Sequence, residues 1–585
     1  MRLLIWRVKN LSDRAFVILL GVLVGVFTGL AASALKFLVS SLRQFLTGGF
    51  EFQYANWLYI LYPLLGIILT VALTQLIFKD KSSHGITDII KAISKGSSVI
   101  SPKKLYTRLM ASAVTTGFGG SVGIEAPIST TGAAFGSNLG RILRLNYKNR
   151  SLLIGCGASG AIAAMFNSPI AGVIFAIEII LTDISISSFI PLLMASVAGA
   201  VISSSISGGG ALFYMNTMLD FQTDELPWFI LLGVLSGGIS LYFIRVNTWV
   251  EQRAQLIISP FIRAILGGLA LGSFIFIFPP IYGEGYSSIT SLLDNQLPAL
   301  LNSSLFASDL NNQVVLLVFL VLMVFAKPIA TAFTISSGGG GGVFAPSLFV
   351  GAMAGFSFAF GLNLAFPNLD LSLSAFTLVG MCGVMSGVLH APLTAIFLIA
   401  EITGGYGLFI PLMLTSAIAY STIYYFEKNS IYTKSLVEKG DLILDNRDLQ
   451  VLSLITLNKL IEKELLTIRP DAMLEDLVSL VKKSKRNIFP VVDAAGVLKG
   501  IITLDDIREI MFDPEARKAI SIESLMYNAP GYISVGETMT EVMSKFENTG
   551  AWNLPVIQDG KYIGLISKST IFNSYRNQLQ KQSKL

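Results

Sequence analysis

The chain has 585 residues, of which 53% are hydrophobic and only 14% charged, and its mean hydropathy is +0.67, which excludes an ordinary soluble globular domain. A net charge of +5 is too small at this length to leave a nucleic-acid footprint. Two cysteines, Cys156 and Cys382, both in apolar glycine-rich sequence, read as small buried side chains and exclude a disulfide framework or a zinc site built from them. What remains is a polytopic membrane protein.

The first apolar run, about Ala15 to Leu38, is too long for the core of a signal peptide and lacks a cleavage site, so it reads as a membrane helix. Arg2, Arg7, Lys9 and Arg14 precede it, which by the positive-inside tendency predicts a cytoplasmic N-terminus. Apolar segments then follow one another to residue 426, but many fall short of the roughly 20 residues that span a bilayer. Ile86 to Ile93 is brief and amphipathic. The runs near Leu152, Pro169, Val343, Phe376 and Pro392 are broken by glycine or proline, so broken helices are expected, and these are tolerable only where protein or a cavity satisfies the freed peptide groups.

The first break, GFGGSVGIEAP from Gly117 to Pro127, carries one carboxylate, Glu125. An ionisable group at that depth costs several kcal/mol facing lipid, so Glu125 is expected on an ion path or in a wet cavity. The chain also repeats itself. Gly123-Ile124-Glu125-Ala126-Pro127 matches Gly342-Val343-Phe344-Ala345-Pro346, with Gly132 and Gly136 opposite Gly351 and Gly355. Ser168-Pro169-Ile170-Ala171-Gly172-Val173 through Glu178 parallels Ala391-Pro392-Leu393-Thr394-Ala395-Ile396 through Glu401 at nearly the same separation. Two halves, each with a glycine-rich break before a helix, point to a transporter-type site where the halves meet, although the sequence leaves their relative orientation open. Helix starts offer free N–H groups and the positive end of the helix dipole, so two facing breaks make an anion cradle without a buried lysine. Proline after Ala126 and after Ala345 suits a first helical turn. The alternative is that Gly340, Gly341 and Gly342 only let helices pack closely. A nucleotide P-loop is disfavoured further, because neither glycine stretch runs into Gly-Lys-Ser/Thr.

GSVGIEAP, GGVFAPSL, FNSPIAGVIFAIE and APLTAIFLIAEIT, in this order, resemble the signature segments of the CLC chloride channels and proton-coupled chloride transporters. The resemblance implies an all-α polytopic membrane domain of two inverted repeats with broken helices, assembled as a homodimer in the bilayer with one chloride pathway per subunit. It implies that Glu125 competes with the anion and acts as the gate. It further implies anion contacts from the backbone N–H groups of Val343 and Phe344, from Ile124 and Glu125, and from the Tyr432 hydroxyl in SIYTKSL, for which an interfacial aromatic anchor is the alternative. The chain departs from the family at three places. Ile124 and Ala126 flank the glutamate where an arginine and a glycine are common. The family's inner serine aligns with His84, so that its role passes to the imidazole or shifts to Ser83. His84 would make conduction sensitive to pH, given a reference pKa of about 6.5, unless it is a helix cap or surface residue. Ile179 stands where coupled members carry an internal proton-relaying glutamate; that relay position is lost, which tilts the reading toward a passive, glutamate-gated channel, with proton-coupled exchange as the alternative. Glu178 and Glu401, placed symmetrically, read as structural.

Beyond residue 436 charges intersperse with strand-like runs, and a second repeat begins. Leu474, Leu477, Val478 and Val481 match Met539, Val542, Met543 and Phe546, each set on one helical face, and Phe489-Pro490-Val491-Val492 and Gly500-Ile501-Ile502-Thr503 match Leu554-Pro555-Val556-Ile557 and Gly564-Leu565-Ile566-Ser567. The tail resembles a tandem pair of CBS domains, a soluble α/β pair that often binds adenine nucleotides; Thr503 and Asp506 then fit the hydroxyl and the ribose-binding acid of one site, against a purely structural pair. The expected organisation is a membrane domain over 1–436, a linker over 437–450, and CBS modules over 451–513 and 518–577. The whole is expected to be a multi-pass protein of the cell inner or plasma membrane with its tail in the cytoplasm. No cofactor is required beyond chloride as the transported ligand. A membrane-bound enzyme or receptor with a CBS sensor is the reading from another class, for which no nucleophile, metal cluster or His-Glu-x-x-His pair is present.

Overall fold

Long apolar runs give spanning helices here, even where a proline or glycine lies inside them, and the breaks near Pro169 and Pro392 give short ones. The runs near Leu152 and Val343, expected to be broken, form helices of 20 and 22 residues. The computed structural model describes residues 12–47, 57–80, 85–94, 98–181, 186–208, 213, 221–294, 296, 312–439, 452, 455–463 and 465–584. Among the described residues, 8 helices are long and apolar enough to cross a membrane. The chain divides into two compact units, Met1–Asp441 and Leu442–Leu585.

The first half of the membrane unit comprises α1 (Asp13–Thr47), α2 (Leu58–Ala72), α3 (Gly85–Ser94), α4 (Lys104–Gly117), α5 (Glu125–Ile142), α6 (Tyr147–Phe166), α7 (Pro169–Phe175) and α8 (Ile186–Ser207). The second half comprises α9 (Leu226–Gln255), α10 (Pro260–Ile277), α11 (Tyr286–Leu293), α12 (Gln313–Ser336), α13 (Phe344–Ala365), α14 (Leu373–Leu389), α15 (Pro392–Ile402) and α16 (Phe409–Phe426), followed by the short α17 (Lys434–Glu438). The apolar run expected to end near Leu38 continues as helix to Thr47. The brief amphipathic segment becomes α3, which buries Ile86, Ile89, Ile90 and Ile93.

Packing repeats between the halves. α5 lies along α6 as α13 lies along α14, α1 packs on α8 as α9 packs on α16, and α7 meets α15 where the halves join. Glycines set the separation at equivalent points. A Cβ on Gly351 would sit 2.5 Å from the Gly380 carbonyl oxygen, and one on its repeat mate Gly132 would run into the Gly157 carbonyl. Removing the Cβ lets these backbones touch, as small residues do between membrane helices. The turns repeat too: α6 and α14 end in the left-handed residues Asn167 (φ 55°) and His390 (φ 54°), and Pro169 and Pro392 open the next helices.

The second unit has the alternating patterning of two α/β modules. Antiparallel strands β1 (Ile488–Val492) and β2 (Leu498–Thr503) form one hairpin, with Pro490 opposite Ile501. In the other module β3 (Ile533–Ser534) pairs parallel with β4 (Asn553–Gln558), and β4 pairs antiparallel with β5 (Lys561–Ser567), with Pro555 opposite Leu565. Ile468 makes the corresponding parallel bridge to Val491. Helix α18 (Leu474–Val481) and helix α19 (Met539–Thr549) each turn one apolar face to a core: Leu474, Leu477 and Val478 pack with Phe489, Val491 and Ile502, and Met539, Val542 and Phe546 pack with Leu554, Val556 and Ile566. Most of the expected linker lies outside the described residues, and α17 runs through its start.

The glycine contacts generate a stability prediction. Gly351→Leu forces a side chain against a backbone carbonyl, so detergent-solubilised protein should lose about 2 kcal/mol or more, read as a lower thermal midpoint by size-exclusion chromatography after heating; an unchanged midpoint would refute the close backbone contact.

Candidate functional site

The two glycine-rich breaks meet backbone to backbone. The Gly123 N–H donates to the Gly342 carbonyl at 2.9 Å, and the Gly342 N–H donates back to the Gly123 carbonyl at 2.8 Å, in an antiparallel pair. A reciprocal pair of this kind is two-fold symmetric. Helices α5 and α13 therefore begin within a few residues of one local axis, and each brings its unpaired first-turn N–H groups and positive dipole end there. Only glycine fits at the pair: a Cβ on Gly342 would approach the Ala126 methyl at 2.5 Å, and one on Gly123 would strike the Glu125 carboxylate.

Glu125 opens α5 and is fully buried. Its Oε1 accepts a short hydrogen bond from the Tyr286 hydroxyl, while Oε2 has no hydrogen-bond partner among the described residues. The Ala345 amide, in the first turn of α13, and the Lys36 ammonium are among its electrostatic neighbours. The carboxylate of one break thus lies against the helix start of the other.

Tyr286 is positioned by a strap, Pro279 to Gly285, laid over the first break. Gly283 (φ 63°) and Gly285 (φ 93°) take left-handed conformations that make the strap turn, and a Cβ on Gly285 would press on the Phe349 ring at 2.5 Å. Lys327, wholly buried in α12, donates to the carbonyls of Ile281 at 3.0 Å and Gly283 at 2.8 Å. Ser121 donates to the Ile281 carbonyl at 2.8 Å, and the Gly283 N–H donates to Gly119 at 3.2 Å. The strap is therefore tied to α12 on one side and to the first break on the other. The sequence reading missed Tyr286 and Lys327. The signals were there, in a lone lysine within the apolar run 313–336 and in Gly-Glu-Gly-Tyr after a Pro-Pro pair, but neither names its partner.

Val343 and Phe344 are buried at the start of α13, and the Phe344 ring packs on Phe166 at 5.3 Å and Phe175 at 6.3 Å. Ile124, at the start of α5, is buried as well. Tyr432 is buried, its carbonyl accepting a 3.0 Å bond from Thr87 on α3, and its hydroxyl has no partner among the described residues although Glu125 lies within Coulombic reach. A buried hydroxyl without a partner calls for an explanation, and a ligand supplies one. Ser83 and His84 lie outside the described residues.

Ile179 stands half-buried in a π-helical turn, Ala176–Ile180, that extends α7. Its neighbour Glu178 accepts from the N–H groups of Leu393 and Thr394 at 3.1 and 2.8 Å and from the Thr394 hydroxyl at 2.6 Å, and so caps α15. Glu401 returns the contact, accepting from the Ile170 and Ala171 N–H groups at 3.0 and 2.8 Å at the start of α7.

In the second unit, Lys485, Arg486, Thr503, Asp505, Tyr527 and Trp552 line an open cleft of about 630 Å³ between the two modules. Thr503 and Asp506 come together, but as a helix cap: the Thr503 N–H and hydroxyl donate to Asp506 Oδ2 at 2.7 and 2.6 Å. The acid on the cleft wall is Asp505. Burial raises the Tyr527 phenol above its usual range, and the nearby Asp506 carboxylate adds to this.

Residues 66–423 match the family model described as voltage gated chloride channel, and residues 457–513 and 522–577 match the CBS domain model. A ClcB-like protein of Ralstonia nicotianae is 29% identical over 433 residues, which are 72% of this chain and 96% of that one. The H(+)/Cl(-) exchange transporter ClcA of Vibrio campbellii is 27% identical over 352 residues, 58% of this chain and 70% of that protein. The crystal structure of a slow cyanobacterial Cl-/H+ antiporter has the same fold, with a TM-score of 0.62 at 24% identity, covering 74% of this chain and 99% of that one.

The strap generates a prediction of its own. Tyr286→Phe removes only the hydroxyl that holds Glu125, a hydrogen bond to a charged group that contributes about 1.5–3 kcal/mol. The carboxylate should leave its seat more often, and chloride flux from proteoliposomes should rise roughly tenfold. Flux equal to wild type would show that the bond does not hold the gate.

Proposed function

The chain belongs to the voltage-gated chloride channel (CLC) family and transports chloride across a membrane; within that role we propose that it conducts passively, through a pathway gated by Glu125. The observation that carries this reading is the seat of Glu125 between two helix starts, where its carboxylate stands in for an anion. Anion arrival and carboxylate departure are then one exchange at one place. Val343, Phe344 and Ile124 contribute backbone donors to the anion, and Tyr432 contributes its hydroxyl; Ser83 or His84, outside the described residues, is the further anion ligand that the resemblance implies.

Passive conduction is favoured over proton-coupled exchange by what stands on the route to Glu125. Ile179 carries no proton, and three hydrogen bonds fix Glu178 as the cap of α15. In this reading the protein is a homodimer, as its resemblance to the family implies, with the N-terminus and the tail in the cytoplasm.

We further propose that the cleft of the tail takes an adenine nucleotide, which no other part of the reading requires. Support comes from its chemistry: an exposed Trp552, with the Lys568 ammonium over its ring at 6.0 Å, offers a stacking face, and Lys485 offers charge for phosphates beside Arg486, which is paired with Glu462 at 2.6 Å. Trp552→Ala should weaken binding of ATP or AMP at least tenfold in calorimetry; no binding by the wild-type chain would leave the tail a structural pair.

The gate is tested by flux. Reconstituted protein should dissipate a chloride gradient, and Glu125→Gln, which keeps the size but removes the charge, should change flux severalfold or more. Under opposed chloride and proton gradients, a reversal potential set by chloride alone supports passive conduction, and one that moves with the proton gradient replaces it with exchange.

A further inference from the structure

The described gate leaves one acidic residue of the strap without a role. Glu284 stands between the two left-handed glycines, two residues before the tyrosine that holds Glu125. It is half-buried, and its Oε1 is buried with no hydrogen-bond partner among the described residues. Nothing in strap geometry requires a carboxylate at this position, because Lys327 ties the strap through the carbonyls of Ile281 and Gly283.

The charged groups within Coulombic reach of Glu284 come from each element around it: Glu125 from the first break, Lys36 and Arg43 from α1, and Lys327 from α12. Each cation is engaged elsewhere. Lys327 binds its two carbonyls and lies over the Phe349 ring at 4.9 Å, Lys36 donates to the Ala164 carbonyl at 2.9 Å, and Arg43 lies over the Tyr282 ring at 5.8 Å. Two phenols also belong to the cluster. Tyr286 donates to Glu125, and the buried Tyr282 hydroxyl has no partner among the described residues. Glu284 therefore has an acidic neighbour and, among the described residues, no committed counter-ion. Carboxylates held near one another in a water-poor site share a proton more readily than they ionise together.

We propose that Glu284 is a second protonatable carboxylate of the gate, one that takes a proton from the solution on the Glu125 side of the membrane and passes it to Glu125. The O–H bond at Glu284 breaks as an O–H bond forms at Glu125, and the Glu284 carboxylate is then reprotonated from solution. A neutral Glu125 no longer competes with the anion for its seat, so acid on that side opens the pathway. Tyr286 links the two events, because the residue that holds Glu125 directly follows the strap that carries the proton donor. The proposal rests on Glu125 as the gate, and it holds for passive conduction or coupled exchange alike.

The test is chloride efflux from proteoliposomes containing the full chain, with pH varied on one face while the other is held constant. Wild type should be acid-activated from one face, and Glu125→Gln should be insensitive to pH on that face. Glu284→Gln should move the activation midpoint by about one pH unit or abolish it, while Glu284→Asp, which keeps the carboxylate, should retain acid activation. A Glu284→Gln profile that superimposes on wild type overturns the proposal, as does a wild type with flux but no pH dependence. Should Glu284→Gln fail to fold, Lys36→Met is the second variant: losing a cation that faces both carboxylates should move the midpoint to higher pH, and no movement overturns the shared-proton cluster. A wild type without chloride flux removes the gate reading itself, an outcome distinct from the others.

Discussion

The membrane unit depends on a single contact, the exchange of two hydrogen bonds between Gly123 and Gly342. Two helix starts are brought together there with nothing larger than a hydrogen atom between their backbones. Donors and dipole ends of the same sign gather at the axis, which is unfavourable without a negative partner and favourable with one. In the proposed reading chloride is the partner supplied from solution, and the Glu125 carboxylate is the partner supplied by the chain. The repeat provides one such carboxylate only: Phe344 holds the equivalent place, its ring packed among Phe166 and Phe175. A charge in both halves would leave two anions contesting one cradle.

Under the proposed gating the strap holds a mobile carboxylate without locking it. A lysine in an ion pair with Glu125 would bind it tightly in so dry a setting. The chain instead uses a neutral phenol, and keeps its buried lysine one step away, on the carbonyls that shape the strap. Lys36 supplies positive potential at Glu125 without occupying the cradle. The family's common arginine beside the gate is Ile124 in this chain, so cationic charge near Glu125 comes instead from α1.

Much of this was legible in the sequence because duplication is written in letters. The match of Gly132 and Gly136 to Gly351 and Gly355 foretold contacts that are equivalent in the two halves, since the absence of a Cβ has one packing consequence wherever it occurs. The motifs that resemble the CLC family led to the fold and to chloride transport. The alternation of the tail led to its two modules. What stayed hidden was long-range and polar. Lys327 announced its burial by standing alone in an apolar run, yet its partners lie 46 and 44 residues away in a loop with no periodic signal. Nothing in the sequence around Tyr286 names Glu125, 161 residues away, as its partner. In the tail, spacing alone did not show that Asp506 is engaged by Thr503 as a helix cap while Asp505 faces the cleft.

The crossed caps of α7 and α15 bear on how the protein is made. The N–H groups of Ile170 and Ala171 are satisfied by Glu401, and those of Leu393 and Thr394 by Glu178. Each half therefore begins a helix that only the other half can finish. During synthesis the amino-terminal half must wait, with two peptide donors unmet, until residue 401 has left the ribosome and entered the bilayer. Each half carries both a helix start and a glutamate, so a gene encoding one half alone would need a second copy of its product to complete that helix start.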